Sequence, residues 1–542
     1  MGLTLTWSDG GNLSLEGFAL VFVCLYVMIG RIAKMYAFDT GSPVLRTRPV
    51  VQVVVLGDIG RSPRMQYHAV SLAEAGCSVD FIGYKGTAPS NRVLTNRFIN
   101  LRYIRNPWSV PEGFPKVLYL LWAPFKALFV SIQLLIYMGG ITVYPDFIFV
   151  QNPPSIPTLV VSKLVSYLRG AWLIIDWHNF GYSMLGQKFG PDHPVVKFSK
   201  WYEQTFGNKA YAHLTVTNKM AQELHRWGVK MIITSANHIP VSSCATYRGK
   251  VITFYDKPQA HFARLEVEQI HKFLKRIEFS KAIESQILNA RDFLGDISQP
   301  ETTLLTIKHT STTDAEYRTD RPQLIVSSTS WTEDEDFTIL LDAMQKYETV
   351  AAASVDPATY PKLLFVITGK GSLKTYYEQK ISKMQLNRTR IVTLWLEMID
   401  YPLLLGSADL GISLHKSTSG MDLPMKVVDM FGCGLPVCAL GFDCIDELVH
   451  NDENGLIFKD AAQLSEQLID LFATPASSKK LACLRENVIF EHQQESWEKN
   501  WKEQLPRLFI DDQLLGNNSS EVTILGMMVV IIWLWPMVDL VY

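Results

Sequence analysis

Val50 to Gly76 reads VVQVVVLGDIGRSPRMQYHAVSLAEAG, and this stretch decides the fold class. Its β-branched run Val50 to Leu56 predicts a buried strand, Gly57 to Pro63 a loop and Arg64 to Ala75 a helix. Ser78 to Gly83 predicts the next strand, which completes a parallel βαβ unit. Working outward, Phe147–Val150, Trp172–Ile175, His213–Val216 and Val251–Phe254 repeat the pattern, giving one Rossmann-like domain over 49–259. The pattern lapses over 260–321, where a charged helix runs to about Phe293 and a Ser/Thr-rich variable linker ends at Arg321-Pro322. It resumes at Gln323–Ser327, Leu363–Thr368, Arg390–Thr393, Leu410–Ser413 and Pro436–Leu440, predicting a second Rossmann-like domain over 322–475, with C-terminal helices over 476–510. The expected fold class is α/β, two doubly wound domains facing a cleft, with ligands at the carboxyl ends of the strands.

The 542 residues are 48% hydrophobic and 19% charged, enough to bury more than one core and too apolar for a disordered chain. Lys and Arg number 51 against 53 Asp and Glu, so no basic field exists to hold a polyanion, and nucleic acid is excluded as a partner. Seven cysteines, odd in number and without a C-x-x-C, predict buried thiols in a reducing compartment, with no disulfide framework and no metal cage.

Residues 13–36 predict a transmembrane anchor if Glu16, Arg31 and Lys34 snorkel. Arg31, Lys34, Arg46 and Arg48 follow its apolar run Phe18–Gly30 and no Lys or Arg precedes it, which places the body in the cytosol. A second apolar segment, 522–538, contains Pro536 and stays open between a span, a surface helix and an ordinary terminus. Val117 to Ile141, broken by Pro124, Lys126 and Gln133, predicts a membrane-touching amphipathic helix or a core helix rather than a span.

Gly369-Lys370-Gly371 follows a predicted strand and precedes a helix, which suits either an anion site or a tight turn. In STSGMDLPMKVVDMFGCGLPVCAL, Ser417 to Leu440, Pro424 suits a helix start, and Lys426, Asp429 and Met430 share one helical side. Ser417, Thr418, Ser419 and Gly420 precede that helix as donors able to cradle a diphosphate. Lys426 and Asp429 read equally well as a surface ion pair. Trp395, Leu396 and Glu397 lie where a nucleobase could sit, although Trp395 reads more simply as a core aromatic; Asp334-Glu335-Asp336 reads as a helix start.

The Ser417–Leu440 stretch resembles the nucleotide-sugar site of GT-B glycosyltransferases, in which Asp429 matches the carboxylate that binds ribose. Many retaining members carry a Glu-x7-Glu pair; here Asp422 and Asp429 are spaced x6. Five further segments, Gly57–Gly76, Gln151–Pro157, Ile175–Gly186, Val326–Phe337 and Pro402–His415, are similar to those of the eukaryotic chitobiosyldiphosphodolichol β-mannosyltransferases. The resemblance covers Val50 to Leu505, whereas 231–248 and the tail from Val522 look additional. It implies transfer of mannose from GDP-mannose to GlcNAc2-PP-dolichol (dolichyl-diphosphate chitobiose), at the cytosolic face of the endoplasmic reticulum membrane. Other dolichol-pathway mannosyltransferases are candidate partners. No cofactor and no metal are expected, and dependence on a divalent ion stays open.

An α-phosphate donor and a β-mannoside product imply inversion in one displacement, which needs a base for the acceptor hydroxyl and a stabiliser for the departing diphosphate. Asp58 and His178 are equal candidates for the base, with Asp176 orienting His178; Asp58 also reads as a helix cap and Asp176 as a loop tie. Lys426, Gly369, Lys370, Gly371, Ser419, Gly420 and Asp429 are the expected donor set, and Arg61 and Arg64 the expected contacts to the acceptor diphosphate. The rival readings are a membrane-associated GT-B transferase of different specificity and a silent anchored subunit that recruits a transferase.

Overall fold

The computed structural model describes residues 48–509 except 108–115, 232–248, 277–282, 284, 288–289, 298–300, 310–313, 333–334, 357–358, 398, 418, 475 and 495. The expected anchor at 13–36, the segment 522–538, nearly all of 231–248, Thr418, Asp334, Cys24 and Cys244 lie outside the described residues. Among the described residues no helix is long and apolar enough to cross a membrane.

The chain divides into two compact units: unit 1 holds the residues up to Thr215, Ala221–Thr253 and those from Gln504, and unit 2 holds Val216–Met220 and Phe254–Glu503. The strands of unit 1 are β1 (Val50–Asp58), β2 (Ser78–Tyr84), β3 (Ile99–Ile104), β4 (Phe147–Asn152), β5 (Trp172–Trp177), β6 (Ala212–Thr215), β7 (Lys230–Met231) and β8 (Lys250–Thr253). They form one parallel sheet in the order β3-β2-β1-β4-β5-β6-β8-β7, with Val51 in register with Val79 and Phe147. The strand order reverses between β1 and β4, and at such a switch point open α/β sheets leave room for a ligand beyond the carboxyl ends. Helices Pro63–Glu74 and Thr158–Arg169 pack on β2 and β4, which is why the central strands are apolar on both faces. The edge strand β3 escaped the sequence reading because, among its six residues, only Ile99 and Ile104 are buried.

Unit 2 first adds an antiparallel pair, β9 (Thr306–Lys308) and β10 (Ala315–Tyr317). Its main sheet comprises β11 (Gln323–Ser328), β12 (Leu363–Thr368), β13 (Thr389–Leu394), β14 (Leu410–Ser413), β15 (Val437–Leu440) and β16 (Gly455–Phe458). These are parallel in the order β13-β12-β11-β14-β15-β16, again reversing beside the first strand.

The described residues of 260–321 belong to unit 2 rather than to a separate linker. Helix Val267–Arg276 sends Ile270, Phe273 and Leu274 into the same core as Leu324, Val326 and Leu364. Arg318 is buried and donates to the carbonyls of Leu294 and Thr303. The expected helix is present, but its charged composition concealed an apolar face at i, i+3 and i+4 that belongs to this core. The C-terminal stretch also differs from the expected separate block: Trp497 packs on Phe254 within unit 2, whereas Phe509 packs on Phe147 and Phe149 within unit 1 at 5.4 and 5.9 Å between ring centroids. Residues 117–141 form the helix Lys116–Ile136 followed by a π-turn, with Ala127, Val130, Leu134 and Met138 buried. Cys77, Cys433, Cys438 and Cys444 are buried and free, but Cys483 is exposed on the surface, contrary to the core expectation.

Candidate functional site

In unit 1 the carboxyl ends of β1 and β5 bring together four side chains. Asp176, the penultimate residue of β5, is fully buried. Arg64, in the first turn of the helix after β1, meets it with two bonds, Nε to Oδ2 at 2.9 Å and Nη2 to Oδ1 at 3.0 Å. His178 Nε2 lies 2.8 Å from Asp176 Oδ2, and His68, one turn beyond Arg64, places its Nε2 3.5 Å from the same oxygen. Burial opposes ionisation of Asp176, but Arg64 and His178 outweigh it and hold the carboxyl well below the usual range. Burial pushes His68 down to about 4, so this ring is neutral at physiological pH.

His178 keeps 24% of its side chain exposed, and among the described residues its Nδ1 makes no hydrogen bond. With Nε2 donating to the Asp176 carboxylate, Nδ1 is left as an acceptor, so this partly exposed imidazole held by a buried carboxylate has the form of a general base. Asp58 is arranged otherwise. Its Oδ1 accepts from Gly60 N at 2.9 Å and its Oδ2 from Thr87 N at 2.8 Å. Burial works against ionisation, yet the Thr87 and Gly60 bonds and Arg61 keep the carboxyl below its ordinary value, which makes it a poor base; it caps the short 3-10 helix Ile59–Arg61, the alternative expected for it. Arg64 is likewise corrected: it is 4% exposed and committed to Asp176 rather than presented to an acceptor diphosphate. Arg61 is 81% exposed, 3.7 Å from Asp58, and remains available to a ligand.

In unit 2 the loops after β11, β12, β13 and β14 converge. Gly369 has φ +136°, and a Cβ there would stand 1.8 Å from Thr329 O; a Cβ on Gly371 would stand 1.8 Å from Ser330 O. These glycines are thus required by the close approach of two backbones, which either an anion site or a tight turn would need. Lys370 places Nζ 3.8 Å from the centroid of Trp395, whose side chain is 56% exposed, so Trp395 is a surface ring and not the core aromatic expected.

Lys426, near the start of helix Met425–Gly432, does not pair with Asp429. Its Nζ meets Glu335 Oε1 and lies 3.5 Å from Ser330 Oγ. Glu335 is buried and accepts from Ser330 N at 2.7 Å and from Thr329 Oγ1, so of the two described residues of that run it is Asp336, accepting from Thr338 N at 2.9 Å, that behaves as the expected helix start. Glu335 was missed because its spacing from Lys426 carries no local signal. Ser417 and Ser419 donate to Asp422, and Gly420 turns the loop at φ +68°, so these hydroxyls are engaged within the protein. Asp422 also faces His415 at 3.7 Å; burial is outweighed by His415 and Ser417, and its carboxyl stays low. Asp429 is the opposite case: burial, with Asp256 adding like charge, pushes it up to about 8. One metal-type group converges among the described residues, His450, Glu453 and Glu491, and Asn454 already engages Glu491 at 2.9 Å.

Residues 313–488 match the family model described as glycosyl transferases group 1. Among solved structures, HepE of Anabaena in complex with UDP and glucose superposes with a TM-score of 0.52 at 14% identity, covering 85% of this chain and 99% of that one. TarM gives a TM-score of 0.52 at 9% identity, covering 87% and 99%. At such identities the likeness establishes the fold, GT-B, with its two parallel sheets. The mouse chitobiosyldiphosphodolichol beta-mannosyltransferase is 41% identical over 473 residues, 86% of this chain and 90% of its own length. The human protein of that name is 40% identical, covering 85% and 92%. The Arabidopsis protein named UDP-glycosyltransferase TURAN is also 40% identical, covering 83% and 95%. A likeness of this depth, running through both units, makes the chain a member of the chitobiosyldiphosphodolichol β-mannosyltransferase family.

Proposed function

We propose that this protein transfers mannose from GDP-mannose to dolichyl-diphosphate chitobiose with inversion, forming the β-1,4-mannosyl linkage. The observation that carries the reading is the 40–41% identity, over at least 85% of the chain, to mammalian relatives named for that activity. The unit-1 set serves the acceptor: His178 Nδ1 takes the proton of the attacking hydroxyl, Asp176 holds the ring, and Arg61 meets the acceptor diphosphate. The unit-2 set serves the donor. Lys426 neutralises charge as the GDP diphosphate departs, Asp429 accepts from the ribose hydroxyls, and the Gly369–Gly371 turn, Ser419 and Gly420 shape the phosphate surroundings. No covalent nucleophile is required, because one displacement inverts the anomeric carbon.

Residues 13–36 anchor the chain in the endoplasmic reticulum membrane with both units in the cytosol, a reading supported by Arg31, Lys34, Arg46 and Arg48 after the apolar run. A second reading, a UDP-sugar donor, is favoured by the name of the Arabidopsis relative alone. Incubating the protein with a chitobiosyl lipid and radiolabelled GDP-mannose, UDP-glucose or UDP-N-acetylglucosamine decides between them. Label from GDP-mannose alone, released by a β-mannosidase, is expected; label from a UDP-sugar alone overturns the proposal.

A further inference from the structure

Helix Pro194–Gly207 buries Val195, Val196, Ser199, Tyr202 and Phe206, and in the same helical register it buries a carboxyl, Glu203, to 0% exposure. A carboxyl among apolar neighbours is costly to hold unless its oxygens are used. Glu203 Oε1 accepts from Gly181 N at 2.8 Å, from Ser155 Oγ, and from Asn152 Nδ2 at 3.4 Å. Asn152 ends β4 and Ser155 lies in the turn that follows, whereas Gly181 opens the helix three residues after His178. Asn152 binds the His178 turn a second time: its carbonyl accepts from His178 N at 2.8 Å, and its Nδ2 donates to Asn179 O at 3.3 Å. One oxygen of Glu203 thus joins the loop after β4 to the loop after β5 that carries His178.

We infer that Glu203 is a positioning residue that fixes the turn carrying His178 through the reach of its acceptor oxygen rather than through its charge. The inference rests on the proposed role of His178 as the base. Burial pushes the Glu203 carboxyl up to about 7. Glu203 Oε2 and Asn152 Oδ1 are both buried acceptors without a partner among the described residues, and a proton on Glu203 would convert one of them into a donor. A glutamine at 203 supplies the same acceptor with a donor beside it; an aspartate keeps the charge but falls short by about 1.5 Å, one carbon–carbon bond.

The test uses the full chain with GDP-mannose and chitobiosyl lipid, comparing E203Q, E203D, E203A and H178A. E203Q is expected to keep kcat within about threefold, the worth of a modest hydrogen-bond change. E203D and E203A are expected to lose roughly a hundredfold in kcat, the usual result of misplacing a reacting group by an ångström, with KM for GDP-mannose unchanged. The reverse order, E203D active and E203Q inactive, overturns the inference, and this order decides the matter even if E203A fails to fold. An active H178A sinks the parent reading; an inactive H178A beside a fully active E203A sinks this one alone.

Discussion

Replacing Asp176 by asparagine leaves the Arg64 guanidinium, 4% exposed, without the carboxylate that meets it at 2.9 and 3.0 Å. Removing one partner of a buried, bidentate pair costs about 3–5 kcal/mol, because the remaining charge stays desolvated. For a unit of this size each kcal/mol lowers the unfolding temperature by about 2–4 °C, so D176N should unfold roughly 6–20 °C below the parent. The sign with pH follows from the depressed carboxyl: the stability it contributes is present above the unfolded value of 3.8 and is lost as pH falls through the lower folded value. The gap between parent and D176N should therefore be constant from about pH 5 to 8 and close only in stronger acid. Turnover should fall at least a hundredfold, the scale of removing base assistance, since His178 loses the bond that fixes its tautomer. Calorimetry at several pH values, with R64M and the double variant D176N/R64M beside it, separates the terms. The double variant should be less unstable than the two single losses added together, because no orphan charge remains. An unchanged unfolding temperature for D176N, or strict additivity, would refute the buried-pair reasoning.

Lys426→Ala should lower kcat on the order of a hundredfold or more by removing a cation from the departing diphosphate. It also strands buried Glu335, so K426A/E335Q should regain stability without regaining turnover; recovered turnover in the double variant would assign Lys426 to structure alone. Between the unfolded value of 3.8 and about 8, folded Asp429 holds a proton that the unfolded chain releases, so its contribution makes stability fall as pH rises across that window. D429N should flatten that slope in thermal unfolding at pH 5 and pH 8 and should raise KM for GDP-mannose at pH 8; equal slopes for parent and variant count against it. Protease added to intact microsomes should digest both units, and full protection would reverse the assigned orientation.

Much of this architecture is written locally. The β-branched runs at Val50 and Gln323 and the helical segments after them specify parallel units, because the periodicity of apolar side chains is set by the immediate backbone. The segment resemblances gave the family, since long stretches of matching residues are local text. What sequence alone left undecided were pairings between residues far apart in the chain. Arg64 reads as a free phosphate ligand until Asp176, 112 residues away, is brought beneath it. Lys426 reads equally as a diphosphate contact and as a surface partner of Asp429 until Glu335, 91 residues away, is found to meet it. Helix Val267–Arg276 reads as a charged helix outside either domain until Leu324 and Leu364 cover its apolar side. Charge and burial depend on neighbours in space, so the proton held by Asp429, the neutral ring of His68 and the open nitrogen of His178 were decided only when the strands were laid side by side.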